Sequence, residues 1–69
     1  MAGVKKTAKE LAEMVADEIG VHVSAVKVFK DKTYGWRPEV YVAPQHAETI
    51  KQAADEAARE LRTKYALAD

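Results

Sequence analysis

Residues 21–43, VHVSAVKVFKDKTYGWRPEVYVA, contain the clearest structural pattern in this sequence. Both ends of the stretch are rich in β-branched and aromatic side chains, which fit the pleated surface of a strand better than a helix. The middle, DKTYG at residues 31–35, has an aspartate that can bond its own backbone and a glycine that can adopt positive φ. We therefore predict two strands, at about residues 21–30 and 36–43, joined as an antiparallel hairpin.

The register of this hairpin decides which side chains face the core. A four-residue loop ending in Gly35 would pair odd positions with even ones, and a slip of one residue turns every side chain to the other face. Pairing even positions with even ones instead places four valines on one face, and we predict this register because it buries more apolar surface. These valines are Val26, Val28, Val40 and Val42. Either register leaves apolar side chains on the second face, namely Phe29 and Tyr41, or Val26, Val28 and Tyr41.

Amphipathic helices are predicted on both sides of the hairpin. Before it, Thr7 and Glu10 have the spacing of a capping box, and Gly20 follows the last apolar residue as a left-handed cap. After it, Pro44 stops the strand and suits a first helical turn, so a second helix is expected over about residues 45–65. Its polar face has opposite charges at helical spacing, among them Asp55 and Arg59. The predicted fold is a single α+β domain of residues 1–69 with the order α-β-β-α, in which the two-stranded antiparallel hairpin packs against two helices. Disorder is allowed at residues 1–6 and at the last few residues.

Composition restricts the classes of function. Eleven basic and eleven acidic residues cancel among the 69, so the chain as a whole does not have the charge of a polyanion binder. Without cysteine it can form neither disulfides nor a cysteine-ligated zinc site. No apolar run approaches the roughly 20 residues that span a bilayer, and the first residues do not fit a signal peptide. We expect a cytoplasmic protein that makes no membrane contact.

No pattern in the sequence is typical of catalysis or of a bound cofactor. The carboxylates of the first helix, Glu10, Glu13 and Asp17, fit a solvated face, because acid–base work needs a cleft that shifts their pKa values. His22 and His46 stand at element boundaries and lack further ligands of the kind that complete a metal site. The sequence therefore predicts a non-enzymatic protein with no cofactor and no metal.

Apolar side chains on the open face of the hairpin favour a protein partner. The core is small for the entropy lost on ordering a chain of this length, which also favours association. Because Pro38 has no N–H to donate, the first strand of the hairpin is the better edge for an added strand. We expect an interaction module that self-associates as a homodimer, or docks on another protein, through the open face. The residues predicted to contact the partner are Lys27, Phe29, Trp36, Arg37 and Tyr41.

Nucleic-acid binding is the alternative function. Cations that meet phosphates and aromatic rings that stack on bases are typical of single-strand binding, and the hairpin carries both. No signature of a known nucleic-acid-binding motif accompanies them, and lysines also protect the edges of small hairpins. The residues of this alternative are Lys27, Lys30, Lys32, Tyr34, Trp36 and Arg37.

Overall fold

A computed structural model describes residues 4–68 as an α+β fold, the predicted class. The two helices pack against an antiparallel hairpin, and a short parallel strand pair joins the two ends of the described chain. In chain order the elements are β1 (Val4–Lys6), α1 (Ala8–Ile19), a 3-10 turn (Val23–Ala25), β2 (Val26–Asp31), β3 (Gly35–Val40), α2 (Pro44–Arg62) and β4 (Tyr65–Leu67).

Both ends of α1 are those that the sequence predicts. The Thr7 hydroxyl oxygen accepts the Glu10 N–H at 3.1 Å, while the Glu10 carboxylate accepts the Thr7 N–H at 3.0 Å. At the other end, Gly20 adopts φ +75° and donates its N–H to the Ala16 carbonyl. These bonds satisfy backbone groups that a helix otherwise leaves unpaired at its ends, so neighbouring residues mark both ends of α1.

Acid should weaken the N-terminal cap of α1. The Thr7 backbone N–H, followed by its hydroxyl, lowers the pKa of Glu10 from its ordinary value of 4.5. The unfolded chain therefore takes up this proton at higher pH than the folded chain does. The cap's contribution to stability is thus complete above pH 4.5 and is lost as the pH falls through the lower, folded-state pKa of Glu10.

Urea denaturation followed from about pH 6 down to about pH 3 measures this loss. Glu10→Gln keeps a side chain that can complete the capping box but does not titrate, so we expect a flatter decline of stability with acid. Glu13→Gln, on the exposed side of the same helix, is the matched control and should follow the wild-type curve. A wild-type decline in Glu10→Gln would contradict the role of the cap.

The hairpin adopts the predicted valine register. Val26 lies opposite Val40, and Val28 lies opposite Pro38, so even-numbered residues pair with even-numbered ones. Val26, Val28 and Val40 are buried under the helices. The register is therefore confirmed, and it fixes the odd-numbered side chains on the open face.

A turn of three residues, rather than the four considered in the sequence, makes this register accessible. Asp31 and Gly35 form the last pair of the ladder. The Asp31 carboxylate accepts the N–H groups of Thr33 and Tyr34 at 2.7 and 3.0 Å, which closes the turn. Gly35 has φ +93°, a left-handed conformation that residues with a Cβ rarely adopt.

Both hairpin strands are shorter than predicted. β2 begins at Val26 instead of residue 21, because a 3-10 turn occupies Val23–Ala25. His22 starts that turn by accepting the Ser24 N–H on its Nδ1 at 3.1 Å. β3 ends at Val40 instead of residue 43, before α2 begins at Pro44. Side-chain capping thus overrides the β-branched composition of residues 21–25.

The ends of the described chain form a parallel strand pair that the sequence did not indicate. β1 (Val4–Lys6) pairs with β4 (Tyr65–Leu67), which corrects the expectation of disorder for residues 4–6, whereas residues 1–3 lie outside the described part. α2 ends at Arg62 rather than at residue 65. The Thr63 hydroxyl donates to the Glu60 carbonyl at 2.6 Å, and the chain then turns into β4.

The core lies between the helices and the inner face of the hairpin. Its largest fully buried side chains are Trp36 from β3 and Leu11 and Val15 from α1. α2 contributes mostly alanines, so its backbone approaches the sheet and α1 closely. These alanines are Ala54, Ala57 and Ala58.

Candidate interaction site

The open face of the hairpin is mixed in character. Phe29 is 42% exposed and Tyr41 is 57% exposed, as predicted for odd-numbered positions. Between these two rings lie Lys27 and Glu39, which pair with each other across the hairpin. The face therefore offers two separate aromatic rings on a charged background rather than one apolar patch.

Arg37 is held in place on this open face by neighbouring acids. Its guanidinium forms an ion pair with Glu39 and a longer one, 3.7 Å from Nε to Oδ2, with Asp31. It also lies 6.0 Å from the centre of the Phe29 ring. The N–H groups of Tyr34 and Thr33 lower the pKa of Asp31, and Arg37 adds to that effect, so Asp31 stays ionised beside Arg37. The charge of Arg37 is largely neutralised within the hairpin, and the side chain shields one side of Phe29.

Trp36 is a core residue, which corrects its assignment to both candidate binding surfaces. It is 1% exposed, and its indole N–H donates to the Tyr65 carbonyl at 3.3 Å. Its even-numbered position turns it to the inner face together with the valines. A ring buried in this way can neither anchor a partner nor stack on a base.

The outer edge of β2 carries backbone groups that no strand of residues 4–68 pairs with. The Tyr41 N–H donates to the Ala25 carbonyl at 2.7 Å, at the position that would follow the Val26–Val40 pair in the ladder. Hydrogen-bonded and non-bonded pairs alternate in an antiparallel ladder, so the odd-numbered pairs are the bonded ones. The N–H and C=O of Val28 therefore point away from β3. By the same alternation Pro38 sits at a non-bonded position, where its missing N–H costs the ladder nothing.

An apolar groove runs along this free edge, between β2 and α1. Small side chains of α1, Ala8 and Ala12, form one wall, and the exposed ring of Phe29 stands at the other. The remaining lining residues are Lys9, Val23, Val26, Lys27 and Val28. Unpaired backbone groups beside an apolar groove are what an added strand requires.

The three lysines of the hairpin do not converge on one surface. Lys27 lies on the open face, and Lys32 is in the turn. Lys30 pairs with Trp36 at an even-numbered position, so it belongs to the opposite face of the hairpin. Tyr34, 63% exposed, meets an arginine of α2 instead: the Arg62 guanidinium lies 4.9 Å from the centre of its ring. The basic aromatic surface predicted from residues 27–37 is therefore divided.

Two arginines of α2, which the sequence analysis did not assign to a site, line a second groove beside the hairpin turn. Arg59 and Arg62 line this groove together with Tyr34 and Arg37, and its volume is about 500 Å³. Asp55 lines the same groove, but within residues 4–68 it makes no ion pair with Arg59, contrary to the expected helical pair. The only signal of this groove in the sequence is the three-residue spacing of Arg59 and Arg62, and that spacing equally fits a solvated helix face.

The histidines lie apart from both grooves. His22 caps the 3-10 turn, and His46 is in the first turn of α2. In the described part of the chain, no three His, Asp or Glu side chains come together as metal ligands. Neither helix of residues 4–68 is long and apolar enough to span a bilayer.

Comparison with known proteins adds no function to this description. No protein-family model, curated protein or solved structure matches the chain significantly.

Proposed function

We propose that this chain is a non-enzymatic interaction domain that forms a homodimer by pairing the free edges of two β2 strands. The observation that carries the proposal is the outward N–H and C=O of Val28 beside the groove of Ala8, Ala12 and Phe29. A two-stranded sheet is marginal in water, and edge pairing would make it four-stranded with all helices on one face.

Charge and ring positions favour a second copy as the occupant. Two β2 strands related by a two-fold axis run antiparallel, and the axis can pass through Phe29. Phe29 then lies opposite Phe29 of the second copy, at a non-bonded position where the Cα atoms approach to about 4.5 Å. In the same register Lys27 lies opposite Asp31 of the second copy, so each interface contains two pairs of opposite charges.

The open face forms the rim of this interface. Lys27 and Phe29 belong to it directly, and Arg37 supports the Phe29 ring from the neighbouring strand. Tyr41 lies just after the end of β3, the strand away from the paired edge. It would therefore contact a partner only if the partner extended beyond β2. Of the residues predicted to meet a partner, Phe29 is therefore the central one.

Sedimentation velocity over a range of concentrations tests the dimer. We expect wild-type protein to dimerise and Phe29→Lys to weaken the association by about tenfold or more, because two lysines would face each other where two rings had met. Tyr34→Lys is the matched control, since it introduces the same charge at a more exposed aromatic in the turn, and it should dimerise as the wild type does. Circular dichroism checks that each variant is folded.

The Lys27→Glu substitution tests the proposed register between the two β2 strands of the dimer. This change would put two acids opposite each other on both sides of the two-fold axis, and we expect weaker dimerisation than in wild type. A wild-type protein that stays monomeric at millimolar concentration, or a Phe29→Lys variant that dimerises normally, would refute the edge-paired dimer. A dimer insensitive to Lys27→Glu would refute the register only.

A further inference from the structure

Within residues 4–68, the groove between the hairpin turn and α2 contains one cation whose side chain has no partner. Arg37 is engaged by Asp31 and Glu39, and Arg62 donates from Nε to the Trp36 carbonyl at 2.8 Å. The Arg59 side chain makes no ion pair, hydrogen bond or ring contact to any residue in the range 4–68, although it lines the groove. A guanidinium without a partner beside a fixed one is a ready site for an anion.

Arg62 is prepared for binding by its surroundings. Its guanidinium lies 4.9 Å from the centre of the Tyr34 ring and 5.3 Å from that of Trp36, and its Nε is bonded to the backbone. The side chain is therefore held with two terminal nitrogens that make no hydrogen bond to the described residues, although the Asp31 carboxylate in the same groove also attracts this guanidinium. Less rotational freedom is lost on binding when the donors are already ordered.

An exposed aromatic ring stands at the rim of the same groove. Tyr34 is 63% exposed, while Arg62 lies over its ring. Aromatic rings bind the flat faces of bases with little preference for sequence, and a guanidinium binds phosphate through two parallel hydrogen bonds. The groove thus joins a donor pair for phosphate to a platform for a base within one space of about 500 Å³.

We propose that this groove binds the phosphate of a nucleotide through Arg59 and Arg62, with Tyr34 stacking on the attached base. The shared chemistry is a phosphate ester next to an aromatic base, which a free nucleotide and a single-stranded nucleic acid both supply. The site differs from the basic hairpin surface predicted from the sequence, because its phosphate donors come from α2. It lies on the α2 side of the hairpin and shares Asp31 with the proposed β2 interface, but its phosphate donors do not depend on the homodimer.

Asp55 opposes this binding and gives the proposal its sharpest test. Its carboxylate lines the groove one helical turn before Arg59, where it repels a phosphate. Asp55→Asn removes that charge without changing the shape of the side chain, so affinity should rise severalfold. Arg59→Gln removes a charged donor, so affinity should fall by about tenfold.

The experiment is an NMR titration of labelled protein at low salt, following backbone amides and arginine Nε–H groups. The probes are adenosine 5′-monophosphate, adenosine, and a short single strand of thymidylates. We expect shifts at Tyr34, Arg59 and Arg62 with both phosphate-bearing probes and much weaker ones with adenosine. Tighter binding of the strand would identify single-stranded nucleic acid as the ligand, and equal or tighter binding of the monophosphate would identify a free nucleotide.

Lys64→Gln is the matched control for Arg59→Gln. Lys64 is an exposed cation that lines a different depression, between α1 and the end of α2. Equal losses of affinity in the two variants would show non-specific charge attraction and overturn the site. The proposal is also overturned if no probe shifts the groove at millimolar concentration, if adenosine binds as well as its monophosphate, or if Asp55→Asn weakens binding.

Discussion

Trp36→Ala is expected to destabilise the protein by about 3–5 kcal/mol, the usual cost of removing a fully buried aromatic side chain. Trp36 is 1% exposed and has the largest fully buried side chain. Its ring packs in the core, and its indole N–H donates to the Tyr65 carbonyl at the start of β4. Since small domains have total stabilities near the lower end of about 5–15 kcal/mol, the variant should keep only about 0–2 kcal/mol and be partly unfolded at room temperature.

Urea denaturation followed by circular dichroism measures this effect without relying on tryptophan fluorescence. Tyr34→Ala, which truncates an aromatic two residues away that is 63% exposed, is the matched control and should cost far less. Trp36→Phe should fall between them, because it keeps an aromatic ring but loses the hydrogen bond to Tyr65. Near-wild-type stability of Trp36→Ala would mean that the ring is not part of the core.

Arg62→Gln is expected to destabilise the protein by about 1–3 kcal/mol, whereas Arg59→Gln should leave stability unchanged within about 0.5 kcal/mol. Arg62 is half-buried and ties the end of α2 to β3 through the Trp36 carbonyl. Its guanidinium also contacts the rings of Tyr34 and Trp36. Arg59, three residues earlier on the same helix, is exposed and makes no such contacts to the described residues.

Thermal and urea denaturation of the two variants form a comparison between identical substitutions. Arg62→Lys keeps the charge but cannot reproduce the planar guanidinium over the rings, so we expect an intermediate loss of stability. Equal stabilities of Arg62→Gln and Arg59→Gln would contradict the structural role of Arg62. It would also remove the reason for regarding Arg62 as a preformed donor in the groove.

The burial of Trp36 follows from the valine register that the sequence predicts. The positions of Val26, Val28, Val40 and Val42 predict the valine register, and the structure confirms it, although Val42 lies beyond the end of β3. The same register turns every even-numbered residue of β3 inward, and residue 36 is even. Its assignment to a binding surface followed the composition of the hairpin rather than its geometry.

Local sequence specifies the features of this protein whose causes lie within a few residues. The capping box of Thr7 and Glu10, the left-handed Gly20 and the turn chemistry of Asp31 all act on neighbouring backbone groups. The alternation of valines predicts the hairpin register, although a four-residue loop would have favoured the other one. These features specified α1, the hairpin and the α+β class.

Contacts between distant segments, in contrast, depend on how the helices pack on the sheet. β1 and β4 are three residues long, too short for a periodic pattern, and they pair across almost the whole chain. The groove of Arg59, Arg62 and Tyr34 likewise joins the end of α2 to the hairpin turn. Side chains far apart in sequence come together only when the helices pack on the sheet, because their placement depends on crossing angles and close alanine contacts that no local pattern encodes.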